Sequence, residues 1–499
     1  MANENISRRE FLERSVSACA ALPLAALAQT AGKKTPEPEG KPNILLIFSD
    51  QQHWQALGFM DPFFDTPNLD RLAEQSMVFE RAFCTTPQCS PSRSSLLTGF
   101  YPSKTKVMGN IDSAGGDHLA APTVGKELQD AGYTTGYFGK WHLGNKAVAT
   151  AGWDHHDFSI DDPKAEAGAS AFLKKACVGS KPFALFVSIN NPHDIYRFKE
   201  HGSEHGEVPM PQSWESETFE GKPPIQKQFM EEDQGMAIHG QPREEWQKYR
   251  DCYRTKTKLY DKNVGVILEE LKRQGRWDNT IIVITSDHGD MDTQHKLIFK
   301  GPFMYEHMVR IPLMIRVPEK YAQVVPRRVK DIDVVNVDVV PTLRQFCGLP
   351  EAASHGMSLA PLLTGSKTYR PRDFVVGQYY SKQRWVNPIR MIRTKDIKLN
   401  RHIRWGDELY DLKKDPLELK NLADDAEYAT IKHDLAQKLD QWIEDYKDPF
   451  YSHCMSHPER EIDYTRRGWP NRWNGTARTT TTRRSPRTDV RRACARAWA

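Results

Sequence analysis

The residues able to do chemistry in this 499-residue chain fall in a few short blocks. Asp50-Gln51 and Asp287-His288 lie far apart, each directly after an apolar run. Singly, an aspartate ending a strand is a cap or turn residue. Together the two pairs supply carboxylate, amide and imidazole ligands for one divalent cation. Cys89-Ser90-Pro91-Ser92-Arg93 continues through Ser94-Ser95 into Leu96-Leu97-Thr98-Gly99. A lone cysteine in such a place is ordinarily a small buried hydrophobe. Gly139-Lys140-Trp141-His142-Leu143-Gly144 sets a lysine and a histidine between two glycines, a pattern for tight backbone around an occupied site. Imidazole titrates near neutrality, which suits proton transfer. Asn191-Pro192-His193-Asp194 and Lys300-Gly301-Pro302 add a histidine and a lysine that, without partners, would be a satisfied loop residue and a solvated charge.

The elements that must position these blocks are legible from apolar runs. Residues 43–49 (NILLIFS), 183–189 (FALFVSI) and 281–285 (IIVIT) have strand length and no polar face, as expected of strands buried on both sides of a parallel sheet. Each ends in polar, ionisable residues, at the edge where open α/β sheets hold ligands. Apolar spacing predicts helices over 68–75, 123–131 and 243–274. A boundary is expected near 361–372. Beyond it, 374–380 and 389–393 read as short strands and 428–446 as an amphipathic helix, making a smaller antiparallel-sheet-plus-helix unit.

Composition narrows the classes. A chain 39% hydrophobic and 27% charged supports a large core and excludes a disordered or collagen-like protein. The eight cysteines are scattered and form no CxxC pair, so a zinc ribbon or thioredoxin-type motif is excluded. Cys84, five residues before Cys89, is expected to be a buried thiol and not its disulfide partner. Residues 465–499 hold ten arginines and one acidic residue, a balance of +9 that leaves the rest of the chain at −5 against the overall +4. This tail reads as low-complexity and disordered, and no nucleic-acid partner is expected. At the other end, Arg8-Arg9 before a modest apolar segment, with Ala26-Leu27-Ala28 as a small-x-small cleavage site, resembles a twin-arginine export signal of bacterial type. A periplasmic or extracellular location is expected, with lipid anchoring through Cys19 ranked second and no transmembrane helix in the mature protein.

The CxPxR block running into LLTG resembles the maturation signature of the formylglycine-dependent sulfatases, in the alkaline phosphatase superfamily. The GKWHLG block, His193, Lys300, the two Asp pairs and Glu408-Leu409-Tyr410-Asp411-Leu412 with Asp415-Pro416 follow in family order. The resemblance implies a large, mostly parallel mixed sheet sandwiched by helices, with a smaller C-terminal α+β domain. The expected organisation is signal 1–28, linker 29–41, catalytic domain 42–365, smaller domain 366–464 and tail 465–499. It implies a sulfuric ester hydrolase in which a maturase converts Cys89 to formylglycine, whose hydrate is the nucleophile. Carried over, Arg93 holds the diol, Lys140 contacts formylglycine and sulfate, and His142 takes a proton from the diol. His193 serves the leaving group, and Lys300 bonds the sulfate and the leaving oxygen. Asp50, Gln51, Asp287 and His288 bind one metal, Ca2+ first, with Mg2+ or Mn2+ as alternatives. Three cations and a metal around one anion suit sulfuryl transfer. Gln51 and His288 replace the Asp and Asn of the commonest pattern, a substitution shared with phosphonate monoester and phosphodiester hydrolases of the superfamily; those activities, and an unmatured sulfate- or glycan-binding protein, are the alternatives. By analogy the substrate is a sulfated carbohydrate, with Trp54, Arg197, His402 and Arg404 as candidate sugar contacts.

Overall fold

The computed structural model describes residues 40–111, 113, 115–144, 152–202, 207–322, 326–382 and 385–451. The export signal expected at 1–28 and the tail at 465–499 lie outside the described residues. Among those described, no helix is long and apolar enough to cross a membrane.

In chain order the strands are β1 (Asn43–Asp50), β2 (Met77–Phe79), β3 (Ala82–Phe83), β4 (Thr134–Gly139), β5 (His155–Asp157), β6 (Phe183–Pro192), β7 (Thr280–Ser286), β8 (Arg310–Ile311), β9 (Leu313–Arg316), β10 (Arg327–Val329), β11 (Val334–Val335), β12 (Val375–Lys382), β13 (Trp385–Arg393), β14 (Ile397–His402) and β15 (Asp407–Asp411). Eight of them form one sheet in the order β10-β2-β9-β7-β1-β6-β4-β5. Strand β9 runs antiparallel to both neighbours; every other pairing is parallel. The three strands predicted from apolar runs are β1, β6 and β7, side by side at the centre. Ile44 stands opposite Ala184 and Ile281, and Ser49 opposite Ile189 and Ser286, so the three carboxyl ends finish level. That register delivers Asp50, His193 and Asp287 to one edge.

Burial on both faces explains why these strands have no polar side. Ile44, Leu46 and Phe48 of β1 join one core cluster, Leu45 and Ile47 another. The first is covered by the helices Cys89–Thr98, Val124–Asp130 and Val339–Phe346. The second is covered by Asp162–Ala176 and the carboxyl half of Arg243–Arg273. Each such aliphatic or aromatic side chain contributes about 1.5–3 kcal/mol on burial. The helix Cys89–Thr98 was not predicted. All ten of its residues are buried and it carries no apolar stripe. Hydrogen bonds hold it instead: Ser94 Oγ pairs with Thr105 Oγ1 at 2.9 Å, Thr85 Oγ1 donates to Ser95 Oγ at 2.8 Å, and Asn336 Nδ2 donates to Ser92 Oγ at 2.9 Å.

The carboxyl-terminal sheet runs β12-β13-β14-β15, antiparallel throughout. Val375, Tyr379, Ile389 and Met391 face the main core. Val376, Ile392, Leu399 and Leu409 pack against Leu435, Leu439 and Trp442 of the helix Ala429–Asp445. At the seam, Glu306 accepts both prongs of the Arg393 guanidinium at 2.9 and 3.0 Å and the Lys398 ammonium at 3.3 Å. Burial alone would raise the Glu306 carboxyl; Arg393, Lys398 and Arg310 outweigh it and hold the group well below its ordinary 4.5. Glu306→Gln removes the buried carboxylate shared by Arg393 and Lys398, leaving them only Asp333 and Glu418, and is expected to cost about 3–5 kcal/mol in denaturant unfolding at pH 7. Because the folded-state value is depressed, the contribution is present above the ordinary value and lost as pH falls. The stability gap between wild type and variant should therefore narrow below pH 4.5.

Candidate active site

One buried guanidinium organises the carboxyl edge of the sheet. Arg93 donates through Nε to Asp287 Oδ2 and through Nη2 to Asp50 Oδ2, both at 2.8 Å. Its Nη1 donates to the Lys140 carbonyl at 2.6 Å and to Ser188 Oγ at 2.7 Å. The ends of β1, β4 and β7 and the middle of β6 are thus tied to one side chain. The resemblance has Arg93 hold the diol. In the structure its described hydrogen bonds go to the two carboxylates and the sheet.

With the Oδ2 atoms engaged, each carboxylate turns Oδ1 toward the site. Asp50 Oδ1 lies 3.8 Å and Asp287 Oδ1 3.7 Å from His288 Nε2. His288 Nδ1 faces the Gly289 carbonyl at 2.8 Å, an acceptor, so Nδ1 carries a proton and Nε2 is the atom presented inward. Gln51 adopts φ 73°, a left-handed conformation that costs a non-glycine residue about 1–3 kcal/mol. Asp287 Oδ1 accepting from its N–H at 3.0 Å and the Tyr253 hydroxyl donating to its carbonyl at 2.8 Å hold it there. Atoms of Asp50, Cys89, Asp287 and His288 all lie within 4.8 Å of one another and are buried. Two carboxylate oxygens, an amide oxygen and an imidazole nitrogen fit a hard divalent cation. The carboxylates already feel each other. Burial, then Asp50, push Asp287 up to about 6. For Asp50, burial and Cys89 raise the group, but Lys140, His193 and Arg93 together hold it well below the ordinary range.

Cys89 opens its helix facing these groups. Its Sγ is 2.9 Å from Lys300 Nζ, 3.2 Å from His288 Nε2, 3.6 Å from Asp50 Oδ1 and 3.9 Å from Lys140 Nζ. His142 and His193 reach the same sulfur. Burial would raise the thiol; Lys140, Lys300 and His288 overcome it and hold Cys89 well below its ordinary value. Cys84 contrasts with it: free, buried and pushed well up by burial.

The backbone around Lys140 is tight for a stated reason. Gly139 has φ 102°, and a Cβ there would strike the Ser188 carbonyl; Gly144 has φ 79°, and a Cβ would strike the His118 ring. His142 has φ 56° and leaves Nδ1 buried without a hydrogen-bond partner among the described residues. From this block a cavity of about 560 Å³ opens to solvent, with Lys140, His142 and His193 at its inner end and Trp141, Phe158 and Tyr196 among its walls.

All ten residues singled out in the sequence come together here. Of the four candidate sugar contacts only Arg197 lines the cavity, paired with Glu200 at 3.2 Å. His402 ends strand β14, buried against Glu408 at 3.0 Å, and is not a loop residue. Trp54 lies under the Arg310 guanidinium, 3.5 Å from its ring centroid, and Arg404 is exposed and outside the cavity lining. Sequence reasoning missed Phe158, Tyr196, Tyr249 and Asp290. Only Asp290, two residues after His288, carried a signal: a third acidic or imidazole group in the same strand-end run.

Comparison with known proteins agrees with this geometry. The Sulfatase family model matches residues 42–349, and that of the N-sulphoglucosamine sulphohydrolase C-terminal region matches 294–445. The chain is 28% identical to a Delta 4,5-hexuronate-2-O-sulfatase of Bacteroides thetaiotaomicron, over 83% of this chain and 92% of that protein. The solved structure of a 2-O GAG sulfatase superposes with TM-score 0.72 at 28% identity, covering 83% of this chain and 94% of the other. A phosphonate monoester hydrolase of Agrobacterium radiobacter shares the fold, with TM-score 0.66 at 22% identity over 83% and 97% of the two chains. A match over more than half the chain, with the site residues assembled at one sheet edge, makes this protein an enzyme of the sulfatase family, in the alkaline phosphatase superfamily.

Proposed function

We propose that the site hydrolyses the sulfate ester of a sulfated carbohydrate, with the hydrate of a Cys89-derived formylglycine as nucleophile. The observation that supports this most is the convergence of Asp50, Lys140, His288 and Lys300 within 3.9 Å of Cys89 Sγ, behind a cavity with aromatic walls. Maturation is a two-electron oxidation in which a maturase, using an external oxidant, removes one Cβ hydrogen of Cys89 and breaks the Cβ–S bond, sulfur leaving as sulfide and an oxygen taking its place as the carbonyl. Water then adds to give a geminal diol.

One diol hydroxyl attacks the sulfate sulfur, its proton passing to Asp50 Oδ1, the carboxylate oxygen 3.6 Å from Cys89 Sγ, and the bond from sulfur to the sugar oxygen breaks. Burial and Lys140 hold the free His193 imidazole down at about 4, and the charge of the bound sulfate offsets them, so that His193 gives that oxygen a proton as it leaves. A serine in this position would stop at a stable sulfate ester. Here His142 takes the proton of the second hydroxyl, the carbon–oxygen bond to sulfate breaks and the aldehyde returns. Lys140 and Lys300 balance charge on the sulfate oxygens, and Arg93 keeps Asp50 and Asp287 in place. A divalent cation held by Asp50, Gln51, Asp287 and His288, calcium first, would supply further neutralisation of the attacked group. Trp141, Phe158 and Tyr196 offer apolar faces of the kind on which sugar rings rest, and Arg197 offers a charge at the cavity. Export by the twin-arginine segment would put the enzyme where such polymers occur.

The decisive measurement is mass spectrometry of the tryptic peptide 82–93 after co-expression with a formylglycine-generating maturase. The expected peptide is lighter by the thiol-to-aldehyde difference, localised to residue 89. Unmodified Cys89 in protein that still turns over sulfate esters would rule out the chemistry. In parallel, alkyl and aryl sulfates should be turned over ahead of phosphodiesters and phosphonate monoesters; the reverse order would favour the activity suggested by the Gln51 and His288 substitutions. His193→Ala should lose about 10²- to 10⁴-fold in kcat/KM on a sugar sulfate, whose alkoxide needs a proton. It should lose far less on an activated aryl sulfate. An equal loss on both would remove His193 from the leaving-group role.

A further inference from the structure

We infer that Asp290 and Tyr249 are positioning residues that fix which end of the Gln51 carboxamide faces the cation site. The inference rests on the reading above, in which Gln51 is a metal ligand. Gln51 Oε1 accepts from the Lys300 ammonium at 2.7 Å, and Lys300 Nζ also lies 2.9 Å from Cys89 Sγ and 3.2 Å from His288 Nε2. An ammonium only donates, so the amide must present its oxygen on this side. The amide nitrogen then points away, and Asp290 Oδ2 accepts from it at 2.6 Å.

Asp290 is itself held. The Tyr249 hydroxyl donates to its two oxygens at 2.9 and 3.1 Å, and the Asp292 N–H donates to Oδ1 at 2.7 Å. Tyr249 in turn accepts from the Phe299 N–H at 2.8 Å, so its own proton is left for Asp290. Phe299 precedes Lys300 and sits at φ 57°, where a bulky side chain is strained unless its surroundings hold it. The result is a closed circuit: Gln51 to Asp290, to Tyr249, to the backbone of Phe299, and through Lys300 back to Gln51. It runs from the end of β1 to the long helix Arg243–Arg273 and to the segment after β7, and its members are buried. A free glutamine amide can turn either end to a neighbour, and its nitrogen end would repel a cation. The circuit removes that freedom before any cation arrives, and sets the Lys300 backbone by the same bonds. Orienting partners of this kind are worth about 10- to 100-fold in metal affinity.

The test is calcium titration calorimetry on the metal-stripped full chain, wild type against Asp290→Ala, Asp290→Asn and Tyr249→Phe, with thermal unfolding of the metal-free forms alongside. Asp290→Ala is expected to weaken calcium binding by about tenfold or more. Tyr249→Phe, which keeps the ring and loses only the hydroxyl, should weaken it by a smaller factor. Asp290→Asn should recover part of the loss, since its carbonyl can still accept from Gln51. Unchanged calcium affinity in Tyr249→Phe and Asp290→Ala, with only the metal-free melting temperature lowered, would overturn the positioning role while leaving the metal site intact. A wild type that binds no divalent cation would overturn both.

Discussion

Everything at the catalytic edge depends on a fully buried arginine. Arg93 carries five N–H donors in a rigid fork, and four bonds from it reach four neighbouring strands at or near the site edge. Unpaired, that charge would be costly in the core; two buried aspartates would be no cheaper. Paired, they fix one another. Asp50 and Asp287 each have one oxygen committed to the guanidinium and one presented to the site. The face of Phe48 lies 5.1 Å from the guanidinium carbon, so the apolar strand interior contributes to the same charge.

The position of Cys89 follows from this constraint. Cys89 is four residues before Arg93, one helical turn away, so the guanidinium that locks the strand ends also sets the turn that carries the sulfur. A helix without an apolar stripe can serve here because serine and threonine hydroxyls satisfy each other and neighbouring backbone around it. Its Gly99 end is left-handed at φ 76°, where Ser354 and Val340 press close enough that a side chain would not fit. Cys89 therefore rides on an element pinned at both ends, with its electrostatic partners in place beforehand.

Sequence reading reached the strands and the motif because both are local. An apolar run such as 43–49 reports two-sided burial by itself, and its end marks the ligand edge. The observed strands run slightly beyond the apolar stretches, β1 to Asp50 and β6 to Pro192, because backbone pairing continues where side chains turn polar. The helix Cys89–Thr98 was illegible for the opposite reason: its burial is polar, and periodicity detects only apolar stripes. The direction of Arg93 was equally hidden, since its partners lie 43, 47, 95 and 194 residues away. His402 looked like a loop residue because its strand is short, and a buried Glu408 across the hairpin on the neighbouring strand cannot be inferred from spacing.

The replacement of a third carboxylate by Gln51 follows from its neighbours. A glutamate at position 51 would accept from Lys300 as the amide does, but its second oxygen would face Asp290 at the distance where Gln51 now donates. Two acceptors there, buried and with no proton between them, repel. A glutamine has one acceptor for the ammonium and donors for the carboxyl, and is the side chain that satisfies both. His288 fits the same pattern, with Nδ1 committed to a carbonyl and Nε2 free to face the sulfur and the cation side. The reduced negative charge of the ligand set is therefore coupled to the polar groups behind it. Positions 51 and 290 are therefore one polar unit: a carboxylate reaching as far as the Gln51 amide would need a donor in place of the Asp290 acceptor.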